Sequence, residues 1–178
     1  MNNETKSSHE KVLFMAQAGV IAAIYVVLTI FINAFNLASG AIQIRISEAL
    51  CVLPFFTPAA VPGLAIGCLL SNILTGCAIW DVIFGTLATL LGAIFSYKLR
   101  KHKFLVTLPP VIANAVIIPF ILCYAYGLTG AWMVGNTDLS LLFYALTVGA
   151  GEVISVCVLG TLLRKALEPV AKHIFNTN

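Results

Sequence analysis

Charged residues divide the chain into long apolar runs, and this pattern predicts membrane-spanning helices. No Asp, Glu, Lys or Arg occurs in Val12–Ile44 or in Ala49–Trp80. Three further uncharged runs follow at 82–97, at 104–137 and at 139–163, which only Glu152 interrupts. A membrane-spanning helix needs about 20 apolar residues. The runs are continuous rather than alternating, which favours helices over a membrane barrel.

These runs predict six transmembrane helices in one all-α integral membrane domain covering residues 1–178. Proline divides Ala49–Trp80 into two short helices, helix 2 and helix 3, because proline breaks a helix. Helix 2 has only about 12 residues, too few to cross a bilayer untilted. The predicted bounds are Val12–Asn33, Ile46–Thr57, Val61–Leu74, Asp81–Tyr97, Phe104–Tyr126 with a bend near Pro119, and Leu139–Leu167.

Composition supports a membrane protein and excludes several other classes. The chain is 60% hydrophobic and 10% charged, whereas soluble domains are about 45–50% apolar and about 25% charged. A soluble enzyme is therefore not expected. A net charge of +3 is too small to indicate a nucleic-acid partner. The five cysteines are scattered without a C-x-x-C pair, which favours small buried side chains over a disulfide framework or metal site.

The distribution of Lys and Arg predicts the orientation in the membrane. With both termini cytoplasmic, the tails 1–11 and 168–178 and the other inside segments hold nine of the ten bases, and only Arg45 lies outside. Basic residues concentrate on the cytoplasmic side of membrane proteins. The first apolar run is too long for a cleavable signal peptide. The nine inside bases are Lys6, Lys11, Lys98, Arg100, Lys101, Lys103, Arg164, Lys165 and Lys172.

Four ionisable residues within or beside the predicted helices are candidates for a functional site. Arg45, Glu48 and Asp81 fall near the predicted outer side, and Glu152 falls near the middle of helix 6. Charges inside a membrane are costly and commonly functional. Asn72 lies near the outer end of helix 3. Together these residues predict a polar pocket open to the outside.

Structural explanations compete for some of these residues. Arg45 and Glu48 are one turn apart, so they could pair with each other. Asp81 opens helix 4 and could cap it. Glu152 has no cation within a helical turn, so a structural role explains it least well. Asn114, in the middle of helix 5, could join two helices through a hydrogen bond.

Aromatic and small residues leave two further alternatives open. Trp80 and Trp132 fall at the predicted outer interface, where they could form an aromatic belt or stack on a planar ligand. Small residues recur every four positions, a spacing that lets helices approach closely in lipid. They could pack the helices of this chain or form a partner-facing groove on helix 1. The pairs are Ala18 with Ala22, Gly19 with Ala23, Gly63 with Gly67, and Ala88 with Gly92.

The common catalytic and phosphate-binding motifs are absent from the sequence. It contains no G-x-x-x-x-G-K-[ST] loop, no H-E-x-x-H and no G-x-S-x-G. We therefore expect no enzymatic activity, no catalytic residue, no cofactor and no metal ligand. No internal repeat is evident, which weakens the case for an inverted-repeat secondary transporter.

The segment following Arg45 resembles one known family. Arg45–Gly67 reads RISEALCVLPFFTPAAVPGLAIG, followed by Ser71-Asn72, by WDVIFGTLATLL from Trp80, and by GEVI from Gly151. These residues are similar to the queuosine-precursor transporter (QueT) family, whose members are substrate-binding (S) components of energy-coupling-factor importers. The similarity is densest from Arg45 to Gly92.

The resemblance implies a fold and a set of partners. S components have six helices, bind a vitamin-like substrate from outside, and assemble in the bacterial cell membrane with a transmembrane coupling protein and two cytoplasmic ATPases. Their first helix carries an A-x-x-x-A surface for the coupling protein, which Ala18 and Ala22 match, with Gly19 and Ala23 beside them. The implied substrate is a 7-deazaguanine, such as queuine or its aminomethyl precursor, or queuosine.

The candidate residues suit such a ligand. A guanine-like edge presents two donors side by side, and one carboxylate accepts both. We expect Glu48, Asp81 and Glu152 as polar contacts, with Asn72 for a carbonyl group and Arg45 completing the set. Trp80, Trp132 or Tyr144 could stack on the ring. The alternative function is a stand-alone proton-coupled transporter of a small polar or cationic solute, with Glu152 as the protonated group. A third is a non-transporting membrane scaffold or an intramembrane enzyme, and the lack of nucleophile–base pairs weakens the enzyme version.

Overall fold

The computed structural model describes residues 3–34 and 45–175, and it is almost entirely helical. Helix α1 is followed by a 3₁₀ helix and then by α2 to α7, with a hairpin of two short strands between α4 and α5. The α-helices are Asn3–Ala34 (α1), Ala60–Leu74 (α2), Thr86–Lys98 (α3), Leu108–Phe120 (α4), Ser140–Glu152 (α5), Gly160–Leu167 (α6) and Ala171–Phe175 (α7). The 3₁₀ helices are Ile46–Phe55 and Leu105–Thr107, and the strands are Met133–Val134 (β1) and Thr137–Asp138 (β2).

Four helical stretches within the described residues are long and apolar enough to cross a membrane. They are Ser8–Ala34, Asp81–Lys98, Leu105–Ala125 and Ser140–Leu167, and they coincide with predicted helices 1, 4, 5 and 6. The protein is therefore an all-α, multi-pass membrane protein.

The two remaining apolar helices are shorter than a bilayer is thick. Ile46–Phe55 is a 3₁₀ helix of 10 residues, and it ends two residues before the predicted end of helix 2. At about 2.0 Å per residue it spans about 20 Å, and α2, with 15 residues, spans about 22 Å. The hydrocarbon core measures about 30 Å. By length alone, four of the six predicted helices reach across it.

Helices α1 and α2 are in direct contact through small residues. A Cβ at Gly63 would lie 2.8 Å from the Ala18 carbonyl oxygen, and one at Gly67 would lie 3.1 Å from the Ala22 Cα. Ala18 and Ala22 are buried in this contact. The structure thus places both in packing within the chain, whereas Gly19, beside them on α1, is exposed, and a Cβ added there would meet no atom within 4 Å.

The hydrophobic core surrounds the 3₁₀ helix Ile46–Phe55, whose residues from Ser47 to Pro54 are buried. Tyr25 of α1 and Leu64 of α2 pack into the same core. Phe56 stacks on Phe175 of α7 at 5.4 Å between ring centroids. Part of the segment expected to be a tail, 168–178, is therefore a helix that packs against the core.

Three helices that look uniform in sequence contain π-helical segments: Asp81–Gly85 before α3, Ile121–Ala125 after α4, and Val153–Leu159 between α5 and α6. The second follows the predicted bend at Pro119, whose missing N–H disrupts the regular hydrogen bonding. Such segments are frequent at functional sites. Each of these contains or directly follows a residue that lines the cavity described next.

Candidate functional site

A polar cavity of about 210 Å³ lies between α1, α2, α4, α5, the start of the 3₁₀ helix with Arg45 before it, and the segment between α2 and α3. Among the residues that the structure describes, fifteen line this cavity and ten of them are polar or charged, which is costly inside a membrane protein and typical of a substrate path. The polar residues are Thr29, Asn33, Arg45, Ser47, Asn72, Thr75, Cys77, Asp81, Asn114 and Glu152, and the others are Ile32, Gly85, Ile118, Leu122 and Val148.

Glu152 and Asn114 both line this cavity with unpaired polar atoms. Their side chains are 7% and 5% exposed, and Glu152 Oε2 and Asn114 Nδ2 have no hydrogen-bond partner in the part of the chain that the structure describes. An unsatisfied buried polar group costs about 1–3 kcal/mol. One atom is an acceptor and the other a donor, and the Asn114 amide lies close enough to act on the Glu152 carboxyl. Neither atom reaches full hydrogen-bond geometry with the other, so this neighbouring pair can serve a ligand edge that carries a donor and an acceptor.

Arg45 lies directly before the 3₁₀ helix and lines the cavity. Its positive charge acts on both Glu48 and Glu152. The ion pairs within 4 Å between described residues join Glu168 to Lys103 and to Arg164, so Arg45 and Glu48 do not form the direct pair considered above.

Glu48 lies behind the cavity wall. It is 1% exposed and is not among the lining residues. Its carboxylate accepts a hydrogen bond from the Tyr25 hydroxyl and one from Cys51 Sγ at 3.0 Å. Since two donors from the core hold it, Glu48 acts on the cavity through its charge rather than through a free oxygen.

Asp81 lines the cavity at the start of a π-helical segment. Its carboxylate accepts a hydrogen bond from the Tyr126 hydroxyl, and no side-chain capping bond forms at Trp80, the residue directly before this segment. Asn72 Nδ2 donates to the Asp81 backbone oxygen at 3.1 Å. The Asp81 carboxylate therefore binds Tyr126 and does not cap the helix.

The three aromatic candidates lie outside the cavity lining. Trp80 is 46% exposed and stacks on Phe84 at 6.1 Å between centroids. Trp132 is 40% exposed, and Tyr144 packs edge-on against Phe143 at 5.5 Å. The exposure of both tryptophans is the arrangement that an aromatic belt requires.

Sequence reasoning missed several residues of this region, among them Tyr25 and Thr29 on α1. Tyr25 is fully buried against Glu48, and Thr29 donates to Ser47 Oγ at 2.9 Å. The sequence does contain a pattern that indicates Tyr25 and Thr29. Their spacing from Ala18 and Ala22 follows the helical period, so all four residues share one face of α1. Cys77 and Tyr126 lie near helix ends, where no such period applies.

Comparison with known proteins gives a consistent result. Residues 15–169 match the family model described as QueT transporter. The chain is 39% identical over 89 residues to the queuosine precursor transporter QueT of Lactococcus lactis subsp. cremoris (strain MG1363). That alignment covers 48% of this chain and 52% of the relative, so it spans about half the length of the relative. No solved structure matches.

Proposed function

We propose that this chain, which belongs to the QueT transporter family, is the substrate-binding subunit of an ATP-driven importer for a queuosine precursor. The family is one of transporters and not of enzymes. The name of the Lactococcus lactis relative, a queuosine precursor transporter, supports the substrate. A 7-deazaguanine such as queuine or its aminomethyl precursor, or queuosine itself, is the class we propose.

We place the protein in the bacterial cell membrane with six crossings and both termini in the cytoplasm. The four long apolar helices supply four crossings, and the short helices Ile46–Phe55 and Ala60–Leu74 supply two where the bilayer thins around them. An even number of crossings agrees with the nine-to-one distribution of Lys and Arg.

The observation that supports the ligand assignment is the neighbouring acceptor and donor, Glu152 Oε2 and Asn114 Nδ2, which line the cavity without a hydrogen bond of full geometry. A guanine-like ring offers an N–H beside a carbonyl oxygen, so Glu152 accepts from the ring and Asn114 donates to it. Asp81, with one oxygen engaged by Tyr126, offers a second carboxylate to an amino or aminomethyl group. Charge-assisted bonds of this kind are strong where water is excluded.

We assign energy coupling to partners: a transmembrane coupling protein and two cytoplasmic ATPases. The sequence has no G-x-x-x-x-G-K-[ST] loop, which supports ATP hydrolysis elsewhere. The exposed positions Gly19 and Ala23 of α1 offer a smooth small-residue surface to the coupling protein. Ala18 and Ala22 are buried against α2, so they pack α1 on α2 and do not face a partner.

The test is titration calorimetry of the purified protein with 7-aminomethyl-7-deazaguanine and with queuine. We expect binding by the parent chain and a loss of about 10–100-fold for Glu152→Gln, since a charged hydrogen bond contributes about 1.5–3 kcal/mol. Glu10→Gln, a carboxylate exposed on α1, is the matched control. Failure of the parent chain to bind any deazaguanine would overturn the assignment.

The burial of Glu152 in the membrane-spanning part also favours a second candidate, a stand-alone proton-coupled transporter in which this carboxylate carries the proton. Liposomes that contain this chain alone separate the two. Uptake driven by a pH gradient establishes the second candidate, whereas uptake only with the ATPase partners removes it.

A further inference from the structure

Tyr126 joins the cavity to the loop that follows α4. Its hydroxyl donates to the carboxylate of Asp81, a cavity-lining residue. Its backbone N–H bonds to the Ile121 oxygen at 3.1 Å, and the Leu128 N–H bonds to the Leu122 oxygen at 3.0 Å. Leu122 also lines the cavity, so the start of the loop is attached to two parts of the cavity wall.

The segment 127–139, called the hairpin loop below, is stabilised by hydrogen bonds to the side chain of Asp138. The Asp138 carboxylate accepts from the Gly130 N–H at 3.1 Å and from the Ser140 N–H at 2.8 Å, and Ala131 N–H donates to Ser140 Oγ at 2.8 Å. The hydrogen bond from the Ser140 hydroxyl, followed by the two backbone bonds, lowers the pKa of Asp138. Asp138 therefore stays charged, and the loop holds its shape as a unit.

The hairpin loop projects outward from the helices. All of its residues up to Asp138 are exposed. Gly127 and Gly130 have φ values of +66° and +78°, in the left-handed region that glycine adopts readily. Gly127 follows Tyr126 directly, which places a flexible backbone position next to the bond with Asp81.

We propose that Tyr126 is a positioning residue that holds Asp81 ready for the ligand and latches the hairpin loop to the cavity. The inference rests on the proposed function, since the ligand at Asp81 is the one named there. With Oδ2 engaged by Tyr126, Asp81 keeps its other oxygen for a ligand donor. Loss of the Tyr126 hydroxyl frees the carboxylate to rotate and releases the loop at Gly127.

The Tyr126 hydroxyl remains a hydrogen-bond donor because it does not lose its proton. Tyr126 is an exposed residue, and its partial desolvation, followed by the hydrogen bond to Asp81, raises the pKa of Tyr126 to about 12, so the hydroxyl keeps its proton at physiological pH. Asn72 fixes the same residue from the other side, by its bond to the Asp81 backbone oxygen. Two anchors therefore define where the Asp81 carboxylate points.

The first experiment needs no ligand. Hydrogen–deuterium exchange of the amides of residues 126–128 compares the parent chain with Tyr126→Phe and with the control Tyr124→Phe, which changes a tyrosine that is 77% exposed two residues earlier on the same helix. We expect Tyr126→Phe to speed exchange by about fivefold, the effect of losing roughly 1 kcal/mol of hydrogen bonding. Equal exchange in the two variants would refute the latch.

The second experiment measures affinity for 7-aminomethyl-7-deazaguanine. Tyr126→Phe is expected to weaken binding about tenfold in the parent chain and to have no effect in an Asp81→Ala background, where no side-chain acceptor is left for the Tyr126 hydroxyl. Additive losses would contradict a positioning role. If the parent chain binds no deazaguanine, the proposed function fails, while the exchange experiment still decides the latch.

Discussion

A Cβ atom placed on Gly67 of α2 would lie 2.8 Å from the Cβ of Tyr25 on α1. The side chain of Tyr25 therefore packs directly against the backbone of α2 at Gly67. A larger residue at position 67 would prevent this close approach of the two helices. The hydroxyl of Tyr25 also donates a hydrogen bond to the Glu48 carboxylate. Close packing of α1 on α2 thus fixes the carboxylate that lies behind the cavity wall.

Substituting Gly67 by alanine should destabilise the protein. Overpacking of a tight contact costs about 1–3 kcal/mol, and the backbone of Ala22, 3.1 Å from the new Cβ, cannot move aside as a flexible side chain would. We expect a lower melting temperature in detergent for Gly67→Ala. Gly19→Ala is the control, because an added Cβ there meets nothing within 4 Å and alanine favours the helix. Equal melting temperatures for the two variants would contradict this packing.

Sequence reasoning located the helices and part of the cavity for one physical reason. A charge within an apolar run is costly, so Asp81 and Glu152 stood out and the charges also marked the helix ends. Tyr25 and Tyr126 did not stand out, because a tyrosine reads as apolar until the partner of its hydroxyl is known. The place of Glu48 behind the wall depends on a 3₁₀ helix, whose three residues per turn present a different face from an α-helix.

The orientation can be tested with introduced cysteines. Thr129→Cys in the exposed hairpin loop should react with a membrane-impermeant maleimide in intact cells, whereas His102→Cys in the basic turn after α3 should react only after permeabilisation. The reason is the retention of basic segments in the cytoplasm. The parent chain, with its own cysteines, sets the background. Labelling of position 102 in intact cells would reverse the proposed topology.

The proposed partner surface on α1 can be separated from its packing surface. Gly19→Trp adds bulk on the exposed side, so we expect normal folding and ligand binding but reduced co-purification with the proposed coupling protein. Ala18→Trp adds bulk against Gly63 and should lower thermal stability itself. A tryptophan at Val116, which is 53% exposed on α4, is the control. Undiminished co-purification of Gly19→Trp would place the partner on another face.

Glu168 should make stability depend on pH. Its hydrogen bond with Lys103, and then the charge of the buried Arg164, lower the pKa of Glu168. A lowered folded-state pKa stabilises the protein above the usual glutamate value of about 4.3, and that contribution is lost as the pH falls through the folded-state pKa. The parent chain should therefore have a higher melting temperature than Glu168→Gln near pH ~7, and this difference should shrink as the pH falls below the usual glutamate pKa of about 4.3. A constant difference across this range would show that the carboxylate charge is not the cause.

Gly85 offers a test of how the cavity wall holds Asp81. It lines the cavity, and a Cβ at this position would lie 3.3 Å from Asn72 Nδ2. Gly85→Ala should push the amide away from the Asp81 backbone oxygen and weaken deazaguanine binding about fivefold, as expected for the loss of roughly 1 kcal/mol.

The control is Gly149→Ala, whose Cβ would meet Ala115 at an ordinary 3.6 Å and should leave affinity unchanged. Because Gly85→Ala acts through Asn72, it should add little to the loss caused by Asn72→Ala, as residues in one network are not additive. If calorimetry shows the two losses to be fully additive, the alanine acts on the ligand directly by filling the cavity, and Asn72 does not transmit its effect to Asp81.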